Sequence, residues 1–316
     1  MINTGICDLF GIRYPIIQGG MAWIAGGRLA AAVSEAGGMG TIGSGNSPAS
    51  WLREQIGLAR EVTSRNFAVN LVLTSPYLAE NLELIIKEKI PVVATGGGNP
   101  GPFMARFKEA GIKVMPVVAS VALAKRLERL GADALVVEGV ESGGHVGEMT
   151  TMCIVPMIAD EVGIPIVAAG GIADGRGVAA AFALGAQGAQ LGTRFICAEE
   201  ANVHPAYQAK VIKTRDRSTV VCGITTGHPV RAIQNSFTRE YLKFEKEGAD
   251  KESLNKLGSG RYPLAAVDGD MENGSILAGQ ISGLVKKVEK SSEIVDEIMA
   301  EARAILKKMG DLPCQG

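Results

Sequence analysis

The chain has 316 residues, a formal net charge of −1 and 47% hydrophobic residues, a balance that gives no electrostatic reason to expect a nucleic-acid partner. Its five cysteines, Cys7, Cys153, Cys197, Cys222 and Cys314, are scattered, odd in number and free of CxxC spacing, so neither a disulfide framework nor a zinc site is indicated and no metal ligands are assigned. No uninterrupted apolar run reaches the roughly 18 residues of a membrane span, and residues 1–6 lack a basic start and apolar core, so the expectation is a soluble, unexported protein of the reducing cytoplasm, with no membrane partner.

Apolar runs that read as buried strands occur at residues 15–17, 39–42, 67–73, 90–94, 112–119, 134–137, 164–169 and 188–191. Helical signals fall between them. Ser75-Pro76 offers an N-cap with proline at the first helical position, and Leu78, Leu82, Ile85 and Ile86 then recur on one face. Ser120 similarly starts Leu123, Leu127 and Leu130. Glycines at 37, 111, 131, 163 and 185 stand between helical stretches and the following strands, as left-handed helix stops do. Eight short strands alternating with helices predict an α/β fold, a (β/α)8 TIM barrel, rather than an open sheet.

The alternation breaks after Phe195. Residues 198–273 are charged and poor in strand signals, with a basic segment at Lys210, Lys213, Arg215 and Arg217, and read as an insertion or small lid over the barrel mouth. A charge run of this kind is ordinarily a solvated face; the functional alternative is attraction of an acidic partner. Ser275 opens an expected apolar helix at 276–285, and Ser292 precedes a last amphipathic helix running to about Lys308. The predicted organisation is a barrel over 1–197, the insertion over 198–273, and C-terminal helices over 274–316 that pack back on the barrel.

Chemistry concentrates where strands end. After the run 134–137, the loop 138–152 begins with Glu138 and contains Ser142-Gly143-Gly144-His145. Strand C-termini are where parallel barrels place active sites. The two glycines permit close approach of a bound ring, and histidine is the side chain suited to proton transfer near neutrality. A second signal lies at Gly170-Gly171 and at Gly192-Thr193, after the seventh and eighth strands, where unblocked backbone N–H groups bind phosphate. Two GxGxxG look-alikes, from Gly38 and Gly96, lack the strand, helix and acidic context of a dinucleotide fingerprint. His204 and His228 lack metal-ligand spacing and read as structural or surface residues.

The segments 15–23, 141–152, 168–175, 192–195, 227–233 and 274–280, ordered along the chain, resemble the flavin-dependent enoyl-acyl-carrier-protein reductases of bacterial type II fatty-acid synthesis, with nitronate monooxygenases (2-nitropropane dioxygenase-like) as the sister family. The resemblance implies FMN as cofactor, NADH or NADPH as co-substrate, a monovalent cation, and an enoyl thioester on acyl carrier protein as substrate, in a homodimer. It places Met21 and Ala22 along the flavin ring, Asn70 and Glu138 near its polar edge, and Ser142, Gly143, Gly170, Gly171, Gln190, Gly192 and Thr193 around the ribityl chain and phosphate. Ser142 stands where related sequences often have alanine. His145 is the expected catalytic residue, supplying the α-carbon proton or holding the thioester carbonyl of the enoyl substrate. In the alternative, nitronate monooxygenase, the same imidazole would act as base toward a nitroalkane. A third reading is a flavin-free barrel that binds a phosphorylated metabolite at the same glycines.

Overall fold

The structure, a computed structural model, describes residues 2–311; Met1 and residues 312–316, with Cys314, lie outside it. Eleven strands are present among the described residues: β1 Ile16–Gln18, β2 Thr41–Gly43, β3 Ala68–Val72, β4 Val92–Gly96, β5 Lys113–Val118, β6 Leu135–Glu138, β7 Gly144–His145, β8 Ile166–Ala169, β9 Gly188–Leu191, β10 Thr219–Cys222 and β11 Val230–Ile233. Eight of them form one parallel sheet in the order β1-β9-β8-β6-β5-β4-β3-β2, each crossing to the next through helical segments. Its two ends meet through a parallel bridge between Ile17 and Met39. At this seam Gln18 is fully buried, accepting from the Thr41 amide through Oε1 (3.0 Å) and donating from Nε2 to the Thr41 carbonyl (3.2 Å). The carboxamide extends the backbone bonds that the Gln18 and Met39 amides donate to the Met39 and Ile16 carbonyls (both 2.9 Å) and closes the expected (β/α)8 barrel.

The near-continuous apolar character of the strands follows from burial on both faces. On β6, Val136 packs with Ile17, Met39, Val92, Met115 and Val167 inside the barrel, whereas Leu135 and Val137 belong to the larger core between strands and helices. The helix Gly5–Phe10 sends Ile6 and Phe10 into the interior cluster. Thr4 Oγ1 donates to the Gln187 carbonyl and Asn66 Nδ2 to the Phe10 carbonyl, so this helix closes the end where the strands begin. The opposite end is left for function.

Gly37, Gly111, Gly131 and Gly185 adopt positive φ as helix stops, but Gly163 does not, because the preceding helix Thr151–Ala159 has already ended at Asp160. Ser120 caps its helix, accepting from the Leu123 amide at 3.3 Å. The Ser75-Pro76 helix starts later than its sequence signal: it spans Leu78–Lys87, with Ser75 Oγ accepting from the Tyr77 amide in a turn before it. Gly40 is a packing glycine, since a Cβ there would stand 1.9 Å from the Ala30 carbonyl oxygen, and the first GxGxxG look-alike is thereby explained.

Two expectations after residue 198 are corrected. Residues 198–273 contain β10 and β11, which pair antiparallel with each other, while β11 also pairs with β7 from the barrel's own loop. The expected helix over 276–285 is instead an extended segment followed by the 3-10 turn Gln280–Leu284. Leu277 bridges to Ala232, and Ile276 and Ala278 are buried with the period of a strand. Glycines at 279 and 283 interrupt the helical alternative. The last helix, Ser291–Gly310, packs Ile294, Val295, Ile298 and Ala302 into the barrel's outer core.

Candidate active site

The mouth of the barrel is covered on one side by the segment that follows β1. A Cβ on Gly20 would fall 2.4 Å from Asn70 Cβ, one on Gly43 would fall 2.6 Å from the Met21 backbone, and one on Gly45 would fall 2.6 Å from Ala22 Cβ. Gln190 lies against Gly19, and Met21 Sδ stands 3.6 Å from the Cβ position of Gly192. These glycines let residues 19–22 lie flat across the ends of β2, β3 and β9, gathering Met21, Ala22, Asn70, Gln190 and Gly192 into one patch. Trp23, next along, holds φ at +66°, a conformation uncommon for a bulky residue and typical of functional turns.

The other side is built by the loop after β6. Gly170 and Gly171 adopt φ of +87° and +73°, and a Cβ on Gly170 would sit 2.8 Å from the Gly139 carbonyl oxygen and 3.2 Å from the Ser142 amide nitrogen. A Cβ on Gly143 would meet the Ala278–Gly279 backbone at 2.6–2.7 Å. The Gly279 amide donates to Thr193 Oγ1 at 2.9 Å. Glu138, Ser142, Gly143, Gly170, Gly171 and Thr193 therefore share a second patch, continuous with the first through the neighbours Gly192 and Thr193.

Charge at the mouth is set by burial. Desolvation raises the Glu138 carboxyl to about 7, against the hydrogen bond it accepts from Ser142 Oγ at 2.9 Å. Near neutrality Glu138 thus exists in both protonation states, and the Ser142 hydroxyl favours the charged one. His145 is exposed at one edge yet walled by the insertion. Desolvation, and then the nearby His228, hold its imidazole below the usual value, so it is mainly neutral at pH 7.

Sequence reasoning missed the framework that holds this loop. Glu141 accepts from the Thr151 amide through both oxygens (3.0 and 2.9 Å) and from Thr151 Oγ1 (2.9 Å), which also lies 2.9 Å from the Gly170 carbonyl. Its backbone carbonyl accepts from the Gln280 amide, and buried Arg231 on β11 donates Nε to the Val140 carbonyl at 3.1 Å. The acidic residue ten positions before a threonine at a helix start was a readable signal for the first clasp; the partners from β11 and from residues 279–280 were not. His228, expected to be structural or superficial, shares a chamber wall with His145. His204 is structural as expected: its Nδ1 accepts from the Ala206 amide at the start of the helix Pro205–Ile212. In the basic segment Lys213, Arg215 and Arg217 are exposed and Lys210 is half-buried.

The patch suits an anionic, planar ligand. The amides of Gly171, Gly192 and Thr193 have no hydrogen-bond partner among the described residues, and the half-buried Asn70 and Gln190 carboxamides likewise keep their donors and acceptors free. No group of three or more metal-ligating side chains occurs among the described residues, and no described helix is long and apolar enough to cross a membrane.

Comparison with known proteins agrees with the motif resemblance. The family model for nitronate monooxygenase matches residues 3–301. The structure of FabK from Thermotoga maritima superposes with a TM-score of 0.95 at 45% identity, covering 98% of this chain and 99% of that one. A probable nitronate monooxygenase of Staphylococcus aureus (strain MSSA476) is 33% identical over 96% of this chain and 98% of its own. A Mycobacterium tuberculosis protein named as an octahydroindene-carboxyl-CoA dehydrogenase is 30% identical over 95% and 96%.

Proposed function

We propose that this chain, which belongs to the nitronate monooxygenase family and is an oxidoreductase, is an FMN-dependent enoyl-acyl-carrier-protein reductase that uses NADH or NADPH. The observation that carries this reading is the full-length likeness to FabK at 45% identity, well above the 33% shared with a relative named for nitronates. The relative named as a CoA dehydrogenase adds a thioester to the chemistry met among such chains.

The free amides of Gly171, Gly192 and Thr193 would hold the FMN phosphate, and Met21, Ala22, Asn70, Gln190 and Glu138 would line its ring. Ser142, Gly143 and Gly170 complete the cradle. FMN supplies a carrier that accepts hydride from the nicotinamide and returns it to the β-carbon of the enoyl thioester. The remaining work falls to the protein. Glycines at 143, 170 and 171 keep side chains out of the cleft, and the segment 19–22 would lie along one side of the ring.

His145, mainly neutral at pH 7, would offer an N–H to the thioester carbonyl as charge develops on its oxygen, and its minor imidazolium form would be the acid for the α-carbon. A neutral imidazole could equally serve as base toward a nitroalkane, which keeps nitronate oxidation as the second reading. The separating experiment is turnover of purified holoenzyme with NAD(P)H and a short enoyl thioester, alongside an alkyl nitronate, with and without oxygen. Enoyl-dependent nicotinamide oxidation that persists without oxygen supports the reductase; oxygen-dependent nitronate consumption with no enoyl reduction replaces it.

A further inference from the structure

Between the insertion and β7 lies a chamber of about 350 Å³ that the mechanism above does not use. Its walls include Val230 and Ala232 of β11, Phe237 and Tyr241 of the helix Ser236–Lys246, and Leu254 of the helix Lys251–Gly258, and His145 is among the side chains that line it. Strand alternation explains the sorting: Val230 and Ala232 face the chamber, while Arg231 between them turns the other way to the Val140 carbonyl. The Phe237 and Tyr241 rings meet edge to face, with centroids 5.9 Å apart.

No Asp, Glu, Lys or Arg lines this space. An anionic guest such as a nicotinamide dinucleotide or a carrier's phosphate would find no countercharge there, and burying it would be strongly unfavourable. Cys222 does line it, but burial, with Glu245 nearby, pushes its thiol up to about 12. A protonated thiol is a poor nucleophile, so the chamber is suited to holding a guest without capturing it as a new thioester.

We infer that the chamber receives the hydrocarbon tail of an acyl thioester whose reacting end lies at His145. This rests on the thioester reading above and adds where the chain goes and what limits its length. The volume lies within the range of small-ligand pockets; Thr226, Thr238, Asn255, Ser259 and Ser275 share the lining, but against the apolar side chains each added methylene gains up to about fourfold in affinity until the chamber is full. Gly258 offers a way to shorten it. It lies on the chamber wall, and a Cβ there would stand 3.7 Å from Tyr241 Cε2, an ordinary contact, so a larger side chain fits the backbone and occupies the void.

The test is equilibrium dialysis of the holoenzyme against saturated N-acetylcysteamine thioesters from butanoyl to decanoyl, which bind but cannot be reduced. Affinity should rise about fourfold per methylene and then level off. Gly258→Leu, and independently Asn255→Phe at an exposed chamber position, should weaken the longest thioester at least tenfold and leave butanoyl binding within about twofold. Retained flavin content and melting temperature show that the variants fold. Affinity independent of chain length, or equal loss for short and long thioesters in both variants, overturns the inference. Dialysis requires no turnover, so chain-length-dependent binding without enoyl reduction would defeat the proposed reaction and keep the chamber, whereas turnover without chain-length dependence would do the reverse.

Discussion

Val230 stands opposite His145 in an antiparallel register, so the strand that carries the imidazole is completed by the insertion rather than by the barrel. Arg231, paired with Gly144, secures the same loop through the Val140 carbonyl. The insertion thereby fixes both the position of His145 and the environment that keeps it neutral.

Replacing His145 by alanine should separate the two half-reactions. Nicotinamide-to-flavin transfer needs no acid at the substrate α-carbon and should stay within about tenfold, while reoxidation by enoyl thioester should fall by about 10²- to 10⁴-fold. His145→Gln, which donates a hydrogen bond but carries no imidazole proton, should recover part of the loss if the carbonyl contact dominates. Anaerobic stopped-flow absorbance at the flavin band follows each step. Equal losses in both steps would make His145 a positioning residue, and no loss in either would move the proton source elsewhere. Because the imidazole is held below its usual value, the His145-dependent step should be flat above about pH 7 if its neutral N–H holds the carbonyl, whereas it should fall steadily with rising pH if the imidazolium supplies the proton.

Gly171→Asp tests the phosphate grip. Gly171 holds φ at +73°, and its added Cβ would stand 3.5 Å from the Glu141 side chain, so an aspartate brings backbone strain, bulk and a like charge together. Purified variant should retain little or no FMN and bind added FMN at least a hundredfold more weakly. Unchanged FMN affinity by fluorescence titration would mislocate the site.

Glu138 gives a pH signature. Its folded-state carboxyl is raised from about 4.5 to about 7, so the folded protein binds a proton that the unfolded chain releases. Any stability tied to it is complete below about pH 4.5, declines as pH rises toward 7, and is level above. Glu138→Gln should therefore gain on the parent between pH 4.5 and 8, by at most about 3 kcal/mol. Chemical denaturation at several pH values, with flavin content matched, would read this; parallel profiles would show that Glu138 titrates normally.

Much of the barrel could be read directly because its signals are local. Val136 and its neighbours form an apolar run because both strand faces are buried, and the stops at Gly37, Gly111, Gly131 and Gly185 mark helix ends within a few residues. The glycines at 143, 170, 171 and 192 were visible for the same reason. What escaped was long-range. β11 pairs along its four residues with nearby β10 and also takes Gly144 and His145, some 85 positions away, as partners, and no periodicity in residues 198–273 encodes that second partnership. The segment 276–285 was apolar enough for a helix, but Ala232 and Thr193 claim its backbone instead.

Glu289 should be sensitive to substitution through stability rather than through the chemistry. It is almost fully buried and pairs with Arg194 and Lys287, while its backbone is bonded to Cys197 and Glu199. Burial opposes its charge, but hydrogen bonds from Lys287 and Arg194 outweigh that and keep the carboxyl below its usual value. Glu289→Ala would leave the Arg194 guanidinium buried without its partner, beside Thr193 in sequence. A loss of about 3–5 kcal/mol in stability is expected, measured by denaturant unfolding. A loss below about 1 kcal/mol would show that the guanidinium finds solvent.

The central claim is that the barrel mouth passes reducing equivalents from nicotinamide to an enoyl thioester. The most direct measurement is NAD(P)H oxidation by the yellow holoenzyme under strict anaerobiosis, with and without a short trans-2-enoyl thioester. The account predicts negligible oxidation without the thioester and multiple turnovers with it, yielding one saturated thioester per nicotinamide oxidised. Absence of enoyl-dependent turnover, with nitronate oxidised only when oxygen is admitted, would contradict it.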